Sequence, residues 1–223
     1  MVLYIVATPI GNLSDITLRA LEILKSVDFV LAEDTRQTKK LFEHYQISTS
    51  LISYHQHSKL NKIDEIINLL QQGKNLALVS DAGTPGISDP GNLLIREVIK
   101  RLNDQVKIVP LPGPSALVAV ASISGFPTDR FVFLGFPPHK NKRQKFFKEA
   151  AEVKETIILY ESVHRILKTL EDIKKYLGER EIMIARELTK KFETTYRGGV
   201  SEVINQLKND KILGEFVIVI NQK

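Results

Sequence analysis

Apolar and polar positions fall in blocks along this chain, and the blocks switch between two periods. Leu3–Ala7, Phe29–Ala32, Leu76–Val79 and Val106–Pro110 are short, nearly continuous apolar runs, the pattern of strands buried on both faces. Ser50–Tyr54 reads as a further short strand. Between the runs, apolar residues recur at helical spacing. Ile16, Ala20 and Leu24 share one face behind Ser14, a residue able to cap a helix. Ile63, Ile66, Ile67 and Leu70 form another face, which Gly73 ends. Helices are also expected from Thr38 to about Tyr45 and from Pro90 to about Leu102. Strand–helix alternation of this kind predicts a parallel, doubly wound sheet.

Leu111-Pro112-Gly113-Pro114-Ser115 punctuates the pattern and sets a boundary between residues 1–112 and 113–223. A helix is expected at Ser115–Ser124. Strands follow at Phe131–Gly135, Thr156–Tyr160, Ile182–Arg186 and Glu215–Ile220, with Thr194–Arg197 as a hairpin partner of Ile182–Arg186. Ser162 is placed to cap a helix whose stripe is Ile166, Leu170, Ile173 and Leu177, closed by Gly178, and Val200–Leu207 is a short helix. Two strands in succession make the expected sheet of this half mixed.

The stretch Leu76–Asn92 departs most from the alternation. A buried strand opens into an acidic, Gly/Pro-rich loop, Asp81 to Pro90, with Asp89 and Pro90 expected to start the next helix. Connections between strand and helix usually take about 2–6 residues. Gly83, Gly86 and Gly91 would let backbone amides approach a ligand. Loops outside the carboxyl ends of strands are where open α/β sheets bind ligands. Thr8–Asn12, Glu33–Arg36, Ser80–Gly91 and Pro112–Ser115 should therefore converge on one edge.

Charge changes the picture of the second half. Residues 1–112 hold 12 Lys/Arg and 12 Asp/Glu, whereas residues 113–223 hold 19 and 14, which accounts for the whole net charge of +5. His139–Lys145 is the most basic stretch, so Lys140, Lys142, Arg143 and Lys145 are candidate contacts to an anionic partner such as RNA. The chain has no cysteine, which excludes disulfides, thiolate metal sites and a cysteine nucleophile. No apolar run reaches the length of a membrane span, about 20 residues, and a soluble, cytoplasmic protein is expected. There is no P-loop, no Gly-x-Gly-x-x-Gly fingerprint and no histidine pair at metal-binding helical spacing. Loops rich in Gly, Pro and carboxylates suit a ligand with an amine, a ribose or a sulfonium better than a triphosphate.

Several of these segments resemble one family. They are Thr8-Pro9-Ile10-Gly11-Asn12-Leu13, Ala32-Glu33-Asp34-Thr35-Arg36, Val79–Gly91 as VSDAGTPGISDPG, and Pro112-Gly113-Pro114-Ser115-Ala116. Pro127–Phe131, Tyr160–Arg165 and Arg186-Glu187-Leu188-Thr189-Lys190 continue the match to Gly214-Glu215-Phe216. Together they resemble the ribosomal RNA small subunit methyltransferase I family, within the tetrapyrrole-methylase class. The resemblance implies two α/β domains with S-adenosyl-L-methionine in the cleft between them, and a homodimer. The implied reaction is 2′-O-methylation of a cytidine in the decoding region of small-subunit ribosomal RNA, free or in the 30S subunit. The implied cofactor contacts are Pro9, Asp81, Gly83, Ile87, Ser115, Ala116, Tyr160, Ala185, Leu188 and Phe216. Asp34, Glu187 and Lys190 are candidates for the base that takes the ribose proton, with Arg36 binding a phosphate or orienting a carboxylate. No metal is expected.

Two departures from the family pattern stand out. Gln56 replaces an acidic residue between His55 and His57, and the chain ends at Lys223 where many members continue into a helical extension. Two other readings stay open at this stage. One is methyl transfer by the same fold to a tetrapyrrole precursor or a protein side chain. The other is a non-enzymatic RNA-binding module of the ribosome.

Overall fold

A computed structural model describes residues 1–55 and 60–223; Gln56 and His57 lie outside the described residues. The chain divides into two compact units, Met1–Ser115 and Ala116–Lys223.

The N-terminal unit is built on a five-stranded parallel sheet. Its strands are β1 (Val2–Val6), β2 (Phe29–Ala32), β3 (Ser50–Ser53), β4 (Leu76–Val79) and β5 (Lys107–Leu111), in the order β3-β2-β4-β1-β5. The two-residue period of a strand sorts the side chains to two cores. Leu3, Ile5, Leu76 and Leu78 face one core with α3 (Leu60–Gln71) and α4 (Asn92–Leu102). Val6, Ala77 and Val79 face the other with α1 (Leu18–Ser26) and α2 (Thr35–Tyr45). Both faces are covered, so the strands need no polar side, which is why they read as continuous apolar runs.

Three helix starts differ from expectation. Thr17 caps α1 through its side chain, while Asn12 serves a preceding 3-10 turn at Leu13–Asp15. Helix α2 begins three residues early because the Asp34 side chain accepts from the Arg36 amide. Helix α4 begins late, at Asn92. Gly91 takes the cap position without a side-chain bond, and Asp89 is left free of capping duty.

The C-terminal unit carries a mixed sheet of β6 (Phe131–Phe133), β7 (Thr156–Ser162), β8 (Glu181–Arg186), β9 (Thr194–Gly199) and β10 (Glu215–Ile220), in the order β6-β7-β10-β8-β9. Only β6 and β7 run parallel; β8 and β9 form the hairpin. One face packs on α6 (Arg143–Glu152), α7 (Ile166–Leu177) and α8 (Val200–Lys208) around Phe147, Leu170, Ile204 and Phe216. The other packs on α5 (Ala116–Ser124) around Val120, Met183, Ala185 and Val217. Ser162 does not cap α7: β7 runs through it, pairing Ser162 with Glu215. Among the described residues no helix is long and apolar enough to cross a membrane.

Candidate active site

In the N-terminal unit the order of the strands fixes where loops must part. The connection from β1 leads to β2 on one side, and the connection from β4 leads across β1 to β5 on the other. A crevice forms where neighbouring connections diverge. Here it is spanned by main-chain bonds. The Thr8 amide donates to the Gly83 carbonyl and the Gly83 amide to the Thr8 carbonyl, each at 2.9 Å. Gly83 has φ +77°, a left-handed value that a side chain would strain. Two further bonds recruit the other loops. The Asp34 amide donates to Asp81 Oδ1 at 2.9 Å, and Thr84 Oγ1 donates to the Pro114 carbonyl at 3.3 Å. At Gly113 an added Cβ would stand 2.9 Å from Ala7 Cβ, so only glycine lets the last loop lie against the end of β1. The four loops therefore meet on one edge.

A cavity of about 150 Å³ opens beside this clasp, lined among others by Pro9, Leu13, Gln37, Lys40, Leu41 and Asp81. Drug-sized ligands occupy roughly 300–1,000 Å³, so this space fits one part of such a molecule. Ile87 stands exposed on the same long loop.

Carboxylates crowd this edge, and the crowding sorts them. Burial raises Asp89 to about 6, with the charge of Asp81 adding to the shift and the Ser80 hydroxyl opposing it. Glu33 is also raised, by burial first and then by Asp81, Asp89 and Asp34. Asp34 moves the other way, to about 2, because the Arg36 side chain and amide hydrogen-bond to it. A group that low is a weak proton acceptor at neutral pH. Asp34 thus caps helix α2 and anchors Arg36, and its lowered proton affinity disfavours it among the three candidate bases. Asp89, expected from the sequence to start a helix, is instead a partly buried carboxylate whose affinity for a proton is raised. The signal available was its place in a loop already rich in acid.

In the C-terminal unit the loop after β8 is held by ion pairs. Lys190 Nζ lies 2.9 Å from Glu187 Oε1 and 3.0 Å from Glu215 Oε2. Burial opposes the Lys190 charge, but these hydrogen bonds outweigh it and the ammonium is held above its usual range. Burial likewise opposes the Glu187 charge, and Lys190 and the Glu215 amide overcome it, so Glu187 is lowered. A neutral Lys190 base, one of the sequence expectations, is thus disfavoured by its partners. The loop is strained at Glu187 (φ +52°) and Thr189 (φ +66°). The Thr189 hydroxyl is buried with no hydrogen-bond partner among the described residues. Strain and an unmatched polar atom in one short loop mark a place shaped for something other than packing.

The remaining expected residues sort by face. Tyr160, Ala185 and Val217 lie in one register row, and Tyr160, Leu188 and Ala116 pack with Ala185 around the α5 core. Phe216 lies in the next row, and its side chain is buried in the opposite core. A contact from Phe216 to a ligand on the α5 side is left to its backbone. Ser115 is the last residue of the N-terminal unit, just before α5.

Arg143 corrects the reading of the basic stretch. It is 6% exposed, and its guanidinium bonds Asp172 at 2.7 Å, Thr169 Oγ1 at 2.8 Å and the Pro138 carbonyl at 3.0 Å. Every part of that fork is used inside the unit, so no phosphate contact is available to it. Lys140, Lys142 and Lys145 stay exposed, and Lys145 lies 3.6 Å from Glu149. Arg197 is likewise engaged, donating to the Ser124 and Ile123 carbonyls at the end of α5.

Residues 2–204 match the family model of the tetrapyrrole (corrin/porphyrin) methylases. The chain is 49% identical to the ribosomal RNA small subunit methyltransferase I of a Synechocystis strain, covering 98% of this chain and 78% of that one. It is 49% identical to the Bacillus subtilis protein of the same name, covering 98% and 74%. The Thermotoga maritima protein of that name is 44% identical, covering 99% and 98%. Among solved structures, diphthine synthase superposes with a TM-score of 0.76 at 14% identity, over 99% of this chain and 90% of that one. Uroporphyrin-III C-methyltransferase from Thermus thermophilus gives 0.68 at 16%, over 99% and 94%. At such identities these two show the fold alone. With the curated relatives matched along nearly the whole chain, this protein belongs to the ribosomal RNA small subunit methyltransferase I family of the tetrapyrrole methylases.

Proposed function

We propose that this protein transfers a methyl group from S-adenosylmethionine to the 2′ oxygen of a cytidine ribose in the decoding region of small-subunit ribosomal RNA. S-adenosylmethionine, the family's cofactor, supplies a methyl group already activated by its sulfonium charge. The observation that carries the reading is the clasped edge of the N-terminal unit. Its loops are the segments that identify the family, and they gather Glu33, Asp81 and Asp89 with too few cations to balance them. A crowded set of carboxylates beside open glycine backbone fits a sulfonium-bearing ligand and would repel a triphosphate.

Pro9, Asp81, Gly83, Ile87 and Ser115 are the proposed cofactor contacts of the N-terminal unit. Ala116, Tyr160, Ala185, Leu188 and the Phe216 backbone are those of the C-terminal unit. The 2′ hydroxyl must lose a proton as it attacks, and Asp89, on the clasped edge and raised to about 6, is the proposed acceptor. Arg36, held by Asp34, is 87% exposed in its side chain and is suited to a phosphate of the RNA. Glu187 and Lys190 shape the loop that presents Leu188. Lys140, Lys142 and Lys145 are proposed to bind RNA phosphates. The protein is proposed to act as a homodimer in the cytoplasm, on the 30S subunit or its RNA.

Transfer of labelled methyl from S-adenosylmethionine to free small-subunit RNA and to 30S subunits, followed by nucleoside analysis, tests this reading. Label in 2′-O-methylcytidine is the expected result. Label on a base, on protein, or on neither substrate would refute it.

A further inference from the structure

The loop between β6 and α6 joins a half-exposed aromatic ring to cations, and the reaction described above leaves that ring without a role. Phe136 is 50% exposed. One side of it meets Tyr160 edge-on, centroids 5.5 Å apart at 64°, and Tyr160 meets Phe133 at 4.8 Å. Lys140 and Lys142 follow on the same loop. Both are exposed, and neither has a carboxylate partner among the described residues. A mobile loop would fold such a ring inward, because burying it is favourable.

This loop is held open from beneath. Arg165 donates to the Pro137 carbonyl at 2.9 Å and Arg143 to the Pro138 carbonyl at 3.0 Å. Both arginines are anchored in turn. Glu161, with a fully buried side chain, accepts from Arg165 at 2.8 Å and from Thr169 Oγ1 at 2.5 Å, and Arg143 bonds Thr169 and Asp172. Buried charges are costly unless fully partnered, and here both arginines also fix two consecutive carbonyls next to Phe136. A ring held rigidly before its ligand arrives loses little entropy on binding.

The geometry points to Phe136 as a stacking platform for an unstacked base of single-stranded RNA. Lys140 and Lys142 take neighbouring phosphates, and Arg143 and Arg165 position the platform without touching the RNA. The inference rests on the proposal that RNA is the substrate. Unpaired bases are recognised by stacking on aromatic rings, and phosphates by lysines. An acidic peptide would use the cations but has no planar face for the ring.

The test is fluorescence anisotropy of a short labelled pyrimidine RNA with the full chain, across a range of salt concentrations. Phe136→Leu keeps apolar contact with Tyr160 but has no π-face. It should weaken binding about 5- to 150-fold at every salt concentration, the range that loss of one stacked base gives. The slope of log affinity against log salt should not change. Phe136→Trp should bind at least as well as wild type. Lys140→Gln with Lys142→Gln should instead flatten the slope by about 1.4, two phosphate contacts on a single strand. Calorimetric affinity for S-adenosylmethionine should be unaltered in Phe136→Leu, which also reports that the variant is folded. RNA binding by Phe136→Leu equal to wild type would overturn the platform and leave the methyl-transfer reading intact. A parallel loss of cofactor affinity would also overturn it, by assigning the ring to support of Tyr160. Wild-type protein that binds an acidic peptide but not the RNA would also overturn the platform, and leave the methyl-transfer reading to the labelling experiment.

Discussion

The two units handle charge in opposite ways. At the strand edge of the N-terminal unit, Glu33, Asp81 and Asp89 stand close with too few cations, and two of them are pushed toward neutrality. In the C-terminal unit, Glu161, Asp172 and Glu187 each meet an arginine or lysine within 3 Å. One region keeps electrostatic tension that a cationic ligand or a proton can relieve. The other has spent its charges on holding loops in place. The comparison predicts the larger loss of turnover from changes in the first region and the larger loss of stability from changes in the second.

The largest effect expected is on turnover. If Asp89 takes the ribose proton, Asp89→Asn should lower single-turnover methyl transfer by about 10²–10⁴. Stability should move the other way. The pKa of Asp89 is raised in the fold, so its proton stabilises the folded state at low pH. That contribution is lost as pH climbs from about 4 through about 6. Asp89→Asn should therefore melt higher than wild type at pH 7.5 and level with wild type at pH 3.5. Rates measured beside melts at both pH values check the pair. A slow variant that also melts lower would place Asp89 among structural residues.

The same substitution at two sites sharpens the contrast further. Glu161→Gln removes a buried carboxylate that Arg165, Thr169 and the Ser162 amide all use, and should cost about 3–5 kcal/mol in a denaturant titration. Glu33→Gln removes a charge that burial and its neighbours already disfavour, and should raise the melting temperature at pH 7.5. Equal losses from both would erase the distinction between the regions. Arg143→Gln should likewise destabilise the C-terminal unit while leaving the salt slope of RNA binding unaltered, since the side chain is closed off from phosphate. A flatter slope would restore it as an RNA contact.

The smallest effect concerns Thr189. Its hydroxyl is buried and unmatched among the described residues, so Thr189→Val, nearly the same shape, should stabilise the protein by about 1 kcal/mol in thermal melts. Methyl transfer should fall if that hydroxyl waits for a ligand, and stay level if it does not.

Much of the fold was legible because buried strands and amphipathic helices write their period directly into the order of residues. Ile63, Ile66, Ile67 and Leu70 announce a helix whichever partner covers them, and all four are buried. The loops were legible too, since glycine and proline mark where the backbone must turn. What could not be read was pairing across distance. Arg143 sits in a run of basic residues and looks solvent-bound until Asp172, 29 positions later, is brought beside it. Asp89 and Pro90 make a plausible helix start, and only the φ of +145° at Gly91 shows that the helix waits two residues. Lys190 could be imagined neutral until Glu187 and Glu215 both appeared at its ammonium. Periodicity is a local property of the sequence, whereas the protonation state of a side chain depends on the whole assembled neighbourhood.

The reciprocal bonds between Thr8 and Gly83 have a consequence for hydrogen exchange. Both amides belong to loops, where exchange with solvent is ordinarily fast. The pair forms an isolated antiparallel bridge two residues beyond the end of β1 and four beyond the end of β4, so each amide is held by the other loop. Their protons should exchange with deuterium on the timescale of the core strands, orders of magnitude behind the adjoining Pro9–Asn12 and Thr84–Ser88 segments. Slow exchange at Thr8 and Gly83 would show that the bridge opens with the sheet, and fast exchange that the clasped edge opens by itself.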